Sequence, residues 1–268
     1  MELRVLGSCS GTEPMPQRHH TSVALTAGEN LYLFDAGESA SHTGHLLGLD
    51  FLRLRAVFIS HPHIDHTGGL PNVMWLLVKK LLRKKYVMNL PTLPKYPLDE
   101  VTLCLPDERL WEGTQAFLRA VAPESLMGLI PFRESRIRDG KIFEDGIVVV
   151  EALHNAHLGV PADGDWRSFS FRILCEGRRI VYSGDVQSIR ELDPFLREGC
   201  DCLLMETGHH HPWEVAQYLS QQEYEIGQLV FMHHGRDFLD HLAESTQRTK
   251  AVYPNPFLVA EDGMKVIL

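Results

Sequence analysis

The sequence predicts an α/β fold in which mixed β-sheets are covered by helices. Three observations carry this. The 268 residues suffice to bury a large core without forcing a second domain, so one domain spanning residues 1–268 is expected. Short apolar runs recur between turn residues. Helical patterns separate several of these runs.

The runs read as strands are Glu2 to Leu6, Ser22 to Leu25, Leu31 to Phe34, Ala56 to Ser60, Thr102 to Leu105, Ile147 to Ala152, Phe169 to Cys175, Arg179 to Tyr182, Cys202 to Glu206 and Leu229 to Met232. Helices are predicted over Pro71 to Lys85, with proline in the first turn, and over Asp107 to Val121, Ser188 to Arg197 and Pro212 to Glu223. Asn89 to Pro97 carries three prolines and reads as an irregular excursion, and Ala162 to Trp166 as an exposed loop. There is no internal repeat.

The 26 basic residues face 35 acidic ones, a formal net charge of −9, with 15 histidines that add positive charge only at lower pH. Such a chain does not attract a polyanion through its overall field, so a nucleic acid would need a local basic patch or bound metal. The five cysteines are odd in number, and no charged-then-apolar leader stands before the first strand, so a reducing cytoplasm is the expected location. No apolar run approaches the ~20 residues needed to cross a bilayer.

The chemistry starts at Ser60-His61-Pro62-His63-Ile64-Asp65-His66, directly after the apolar run Ala56 to Ile59. Three imidazoles and a carboxylate at a strand end make a candidate metal site. Alternation puts His61 and His63 on one side, and a turn after Ile64 brings Asp65 and His66 to meet them. Imidazole with carboxylate suits an open catalytic zinc site, whereas closed structural sites favour thiolate. Three later runs also end in metal-ligand types: His154 and His157 after Val148 to Leu153; Asp185 after Ile180 to Tyr182, where Gly184 permits a sharp turn; and His233 and His234 after Leu229 to Met232. Together these supply about the seven ligands that two metals sharing one carboxylate need.

This ordered set, HxHxDH, then His, then Asp in a Ser-Gly-Asp turn, then His, resembles the ligand set of the metallo-β-lactamase superfamily. Leu6 to Pro14 with Arg18 and Thr21-Ser22 is similar to the glycine-rich opening of its ribonuclease Z branch. Leu33 to Glu38 and Met205-Glu206-Thr207 resemble two further segments of that branch. The resemblance implies a four-layer αβ/βα sandwich of two mixed sheets flanked by helices. It implies two zinc ions, with manganese or ferrous iron as alternatives: His61, His63 and His157 on one, Asp65, His66 and His233 on the other, and Asp185 bridging. His157 is preferred to His154 by the family spacing, and His233 to His234 as the first histidine after its strand. Asp65 counts among the catalytic groups as well as the ligands, and His209 falls where the branch carries a catalytic-support histidine, with Glu206 placed to orient it. Members of the branch form dimers, so a homodimer is implied.

The chain departs from common ribonuclease Z in lacking the arm that grips transfer RNA. Only Leu174 to Arg179 joins the strands that would flank it, and Ile64 stands where a small residue is usual. The expectation is therefore a two-metal hydrolase in which a metal-bridging hydroxide attacks a small or single-stranded phosphodiester, as in the arm-less phosphodiesterases of the branch, which cut cyclic or activated diesters. Thioester or lactone hydrolysis on the same metals is the alternative, and transfer RNA 3′ processing stands third. The basic run Lys79, Lys80, Arg83, Lys84 and Lys85 reads as a solvated helix end that complements the helix dipole. Cys200-Asp201-Cys202 reads as a strand start with Cys202 buried. Asp35 is either a hydrogen-bond partner of a ligand histidine or a turn cap.

Overall fold

The computed structural model describes residues 1–11, 15–123, 126 and 128–268. Thr12, Glu13 and Pro14 of the opening segment lie outside the described residues. Two seven-stranded sheets face each other. The first has the order β14(Lys265–Val266), β1(Glu2–Gly7), β2(Ser22–Ala27), β3(Asn30–Phe34), β4(Leu54–Phe58), β5(Val101–Leu105), β6(Phe132–Arg136). The second has β13(Phe257–Val259), β12(Ile226–His234), β11(Cys200–Thr207), β10(Arg178–Tyr182), β9(Phe169–Cys175), β8(Val148–His154), β7(Gly140–Glu144).

The period-two alternation of strand side chains builds the layers. Val23, Leu25, Tyr32, Phe34 and Phe58 point between the sheets, where they meet Val150, Phe171, Ile173, Tyr182 and Leu204 of the second sheet. Phe34 stacks on Phe58 at 4.8 Å and reaches Phe171 across the gap at 6.1 Å. The intervening residues Ala24, Leu31, Leu33, Val57 and Ile59 point outward under α1(Ala40–Leu46), α3(Leu70–Val87) and α4(Arg109–Val121). On the opposite face Val181, Leu203, Met205, Leu229 and Phe231 are covered by α5(Asp193–Leu196), α6(Pro212–Gln222) and α7(Arg236–Val252). The result is the expected αβ/βα sandwich.

β3, β4, β5 and β6 run parallel, as do β10, β11, β12 and β13. Their carboxyl ends therefore deliver Asp35, His61, Asp185, His209 and His233 to one edge of the sandwich, where loops of open α/β sheets commonly hold ligands. β9 and β10 are joined by Glu176 and Gly177 alone, both at positive φ (51° and 76°), the conformation of a tight type I′ hairpin.

The structure adds elements beyond those read from sequence: β6, β7, β13, β14, α1, α2(Ile64–Thr67) and α7. β6 is the charged edge strand FRESR, and α7 buries Ser245 and Thr249 beside Phe238, so neither shows an apolar period. Ser188 to Arg197 splits into a 3₁₀ turn, Ile189–Leu192, and α5. The Asn89 to Pro97 excursion anchors at the far end of β4, where the buried Tyr96 hydroxyl donates to Leu54 O at 2.8 Å. The basic run sits in the half of α3 remote from Asp35 and His61, roughly 14 to 22 Å along an axis rising 1.5 Å per residue. Among the described residues no helix is long and apolar enough to cross a membrane.

Candidate metal centre

β4 ends in extended backbone, which carries His61 and then His63 (φ −60°, ψ 150°), and the single turn α2 swings Asp65 and His66 back beneath them. This turn is tied to the β3 end by Ala36 N donating to His66 O and Gly69 N donating to Ala36 O, both at 2.8 Å. The approach is close enough that a Cβ on Gly69 would lie 2.0 Å from Gly37 O.

Asp35, fully buried and at φ 57°, organises the floor. It accepts from Ser60 N at 2.7 Å, Ser60 Oγ at 2.8 Å, Tyr182 OH at 2.6 Å and His66 Nδ1 at 2.7 Å. The last bond fixes the His66 ring with Nε2 directed to the centre. Of the two roles open for Asp35, the structure shows the hydrogen bond to histidine. Ser60 and Tyr182 escaped the sequence reading because nothing local to either indicates a shared acceptor across two sheets.

The remaining groups arrive from the second sheet. Gly184, at φ 56°, turns the chain so closely that a Cβ there would meet Phe169 O at 2.8 Å, and Asp185 points inward. His157 follows the β8 end, its N–H donating to Asn155 Oδ1 at 3.2 Å. His233, at φ 49°, is bulged out of the register near the end of β12. The competing histidines face elsewhere. His154 pairs with Asp139 at 2.6 Å and stacks on Trp166. His234 has Nδ1 3.1 Å from Thr207 Oγ1 and Nε2 2.9 Å from Ala260 O, and burial pushes its pKa down to about 3.

The geometry divides at Asp185. Its Oδ2 lies 3.6 Å from His61 Nε2 and 3.7 Å from His157 Nε2; its Oδ1 lies 3.3 Å from both His66 Nε2 and His233 Nε2. His63 Nδ1 is 3.0 Å from His61 Nε2 and 3.3 Å from His157 Nε2. Asp65 Oδ2 is 3.3 Å from His233 Nε2 and 3.6 Å from His66 Nε2. Two groups therefore converge, His61–His63–His157–Asp185 and Asp65–His66–His233, each with ligand atoms within 4.8 Å of one another. A third grouping joins Asp185, His209 and His233.

These residues fit divalent metal ions. His66 Nε2 and Asp185 Oδ1 are buried and, among the described residues, have no hydrogen-bond partner, a costly arrangement unless a cation engages them. The separations match the edges, about 3.4 Å, of a tetrahedron with ~2.1 Å bonds to nitrogen and oxygen. Burial drives the His61 and His157 pKa values down, favouring the neutral form a ligand requires. Burial opposes charge on His66 too, yet Asp185 and Asp35 raise its pKa well above the ordinary value, so this pocket favours a cation. Asp185 itself, despite burial, is held well below the carboxylate range by His233, His66 and His61.

His209 stands at the open side, its side chain 43% exposed. Glu206, 1% exposed, accepts from His209 N at 3.0 Å and lies 3.2 Å from His209 Nδ1, which raises the imidazole pKa. His210 Nε2 is 2.9 Å from Val186 O and 3.3 Å from the same Glu206 Oε1, whereas His211 turns away to pair with Asp237 at 2.6 Å.

Comparison with known proteins agrees with the architecture. The family model described as Anti-Pycsar protein Apyc1 matches residues 1–252. The human tRNase Z short form superposes with a TM-score of 0.71 at 19% identity, covering 100% of this chain and 99% of that one. The metallo-β-lactamase fold protein YhfI from Bacillus subtilis gives 0.68 at 16% identity, covering 99% of each chain. A diphosphatase from the PhnP family gives 0.64 at 16%, covering 100% and 97%. In sequence, ribonuclease Z of Treponema pallidum is 39% identical over 98 residues, 36% of this chain and 31% of the relative; that of Salinibacter ruber is 31% identical over 164 residues, 59% and 44%. The chain thus spans less than half the length of these relatives.

Proposed function

The chain belongs to the Anti-Pycsar protein Apyc1 family and has the metallo-β-lactamase fold, and from that premise we propose that it is a two-zinc phosphodiesterase acting on a small phosphodiester. The observation that carries the reading is the Asp185 carboxylate, whose two oxygens each face a different group of ligand-type side chains. Two divalent ions held by His61, His63, His157, Asp65, His66 and His233, with Asp185 between, would acidify water towards neutral pH and polarise the phosphoryl group.

The chain's own residues do the rest. Asp35 holds His66 in one tautomer, and Glu206 holds the His209 ring at the mouth. His209, favoured in its protonated form by Glu206, donates a proton to the leaving oxygen as the ester bond breaks. A small substrate is supported by the β9–β10 hairpin, which leaves no arm to grip a long RNA, and by the basic run lying far from the centre. The acidic balance of the chain agrees.

Purified, zinc-loaded protein assayed against bis(p-nitrophenyl) phosphate, a thioester, a lactone and a precursor transfer RNA tests the reading. Phosphodiester turnover without transfer RNA cleavage is expected, alongside two zinc ions per chain by elemental analysis. Thioester or lactone turnover with an inert phosphodiester would overturn it.

A further inference from the structure

A second imidazole–carboxylate pair is held by the Ala36–Gly37 turn, which also bonds the metal loop. His20 Nδ1 lies 2.9 Å from Glu38 Oε2, and His20 N donates to the same oxygen at 3.0 Å. The side chains are 29% and 46% exposed. Among the described residues no other hydrogen bond or ion pair engages the ring. The pair is fixed by the turn that carries the metal loop: Gly37 N donates to Thr21 O at 3.0 Å, Ala36 N donates to His66 O, and a Cβ on Gly37 would lie 2.5 Å from the His20 carbonyl. The ring is thereby within electrostatic reach of Asp65 and His66, whereas His209 packs against His157 and His233.

Resting on the phosphodiesterase reading, we propose that His20, held by Glu38, donates a hydrogen bond from Nε2 to a non-bridging phosphoryl oxygen of the substrate on the Asp65 side of the centre. Nδ1 is committed to Glu38, so Nε2 is the atom left to face a ligand. The hydrogen bond to Glu38 raises the His20 pKa against partial burial; Asp65 adds to the rise and His66 subtracts from it. In the imidazolium both ring nitrogens carry hydrogen, and a charge-assisted bond to a phosphoryl oxygen is about twice as strong as a neutral one. His20 belongs to neither converging ligand group, and its contribution is binding, felt mainly in KM.

The test compares wild type, His20→Asn, His20→Arg and Glu38→Gln, all zinc-loaded. It measures KM and kcat for bis(p-nitrophenyl) phosphate, Kd for inorganic phosphate by calorimetry, and zinc content. His20→Asn should raise both KM and the phosphate Kd about tenfold or more, the worth of a charged hydrogen bond, with a smaller effect on kcat and zinc retained. Glu38→Gln should give a weaker rise, and His20→Arg should recover part of the phosphate affinity. Unchanged KM and Kd, lost zinc, or a fall in kcat at constant KM would overturn the proposal. Wild type inert towards phosphodiesters defeats the functional reading separately, and the phosphate Kd values still decide the role of His20.

Discussion

Asp35 Oδ2 and His66 Nδ1 lie 2.7 Å apart with neither side chain exposed, and this contact determines which nitrogen of His66 faces Asp185. The same carboxylate takes up Ser60 and Tyr182, so one residue joins β3, β4 and β10 beneath the centre. Asp35→Ala would leave the buried Ser60 N and Tyr182 OH without their acceptor and would remove the shortest bond of Ser60 Oγ and of His66 Nδ1. A loss of roughly 3 to 5 kcal/mol in denaturant unfolding of the metal-free protein is expected, together with zinc affinity weakened about 10- to 100-fold. Competition with a fluorescent chelator measures the second; unchanged affinity would show that His66 needs no orienting partner.

Asp185→Ala removes the group on which both ligand sets converge. Most bound zinc and nearly all turnover should disappear. Elemental analysis after gel filtration reads the metal directly, and two zinc ions retained per chain would remove Asp185 from the bridging position.

His209→Ala should leave zinc in place and lower kcat by about 10² to 10⁴, the usual worth of a positioned acid. Because His209 Nδ1 also lies 3.7 Å from Asp185 Oδ2, the metal content matters as much as the rate. Zinc lost with the side chain would make His209 a ligand. Glu206→Gln should reproduce part of the rate loss, since it weakens the hydrogen bond that favours the His209 cation.

The fold was legible where short apolar or alternating runs end in turn residues, as at Leu31 to Phe34 and Phe169 to Cys175. It was illegible at α7, whose buried positions include Ser245 and Thr249, and at the charged edge strand β6. The ligand-type residues stood out because each follows an apolar run on the same sheet edge. The choice between His154 and His157 depended on tertiary partners, Asp139 and Trp166, that no local pattern reveals. The same holds for Asp35, whose neighbours come from two sheets. The Asn89 to Pro97 excursion anchors on Leu54, at the end of β4 opposite the metal loop.

All five cysteines are buried. Burial pushes the thiols of Cys104 and Cys200 up to about 12 and raises that of Cys202 as well. Folded protein at pH 8 should therefore release no chromophore from a disulfide reagent, while denatured protein should release five equivalents. The linkage has a definite sign. A thiol with a raised folded pKa holds its proton in the native state while the unfolded chain ionises near 9. Stability is fully present below that pH and falls as pH rises from about 9 towards 12, by about 1.4 kcal/mol per unit for each of Cys104 and Cys200. A shallower alkaline slope in Cys104→Ala, relative to wild type, checks this.

Gly208 has no side chain because His233 occupies the space: a Cβ there would lie 2.5 Å from Nδ1 and 2.7 Å from Cε1 of that ring. The ring cannot retreat freely, since His233 is a bulged residue of β12 at a positive φ and its Nε2 is 3.3 Å from both Asp65 Oδ2 and Asp185 Oδ1. Gly208→Ala must therefore displace the imidazole from those two carboxylates or shift the β11 end, at a cost of about 1 to 3 kcal/mol for the overpacking. The expected result is a folded protein that binds one zinc as wild type does and the second about 10- to 100-fold more weakly. Titration calorimetry of the metal-free protein separates the two events, and His233→Ala serves as the reference for complete loss of the second. Two wild-type binding events in Gly208→Ala would show that His233 does not hold metal in this position.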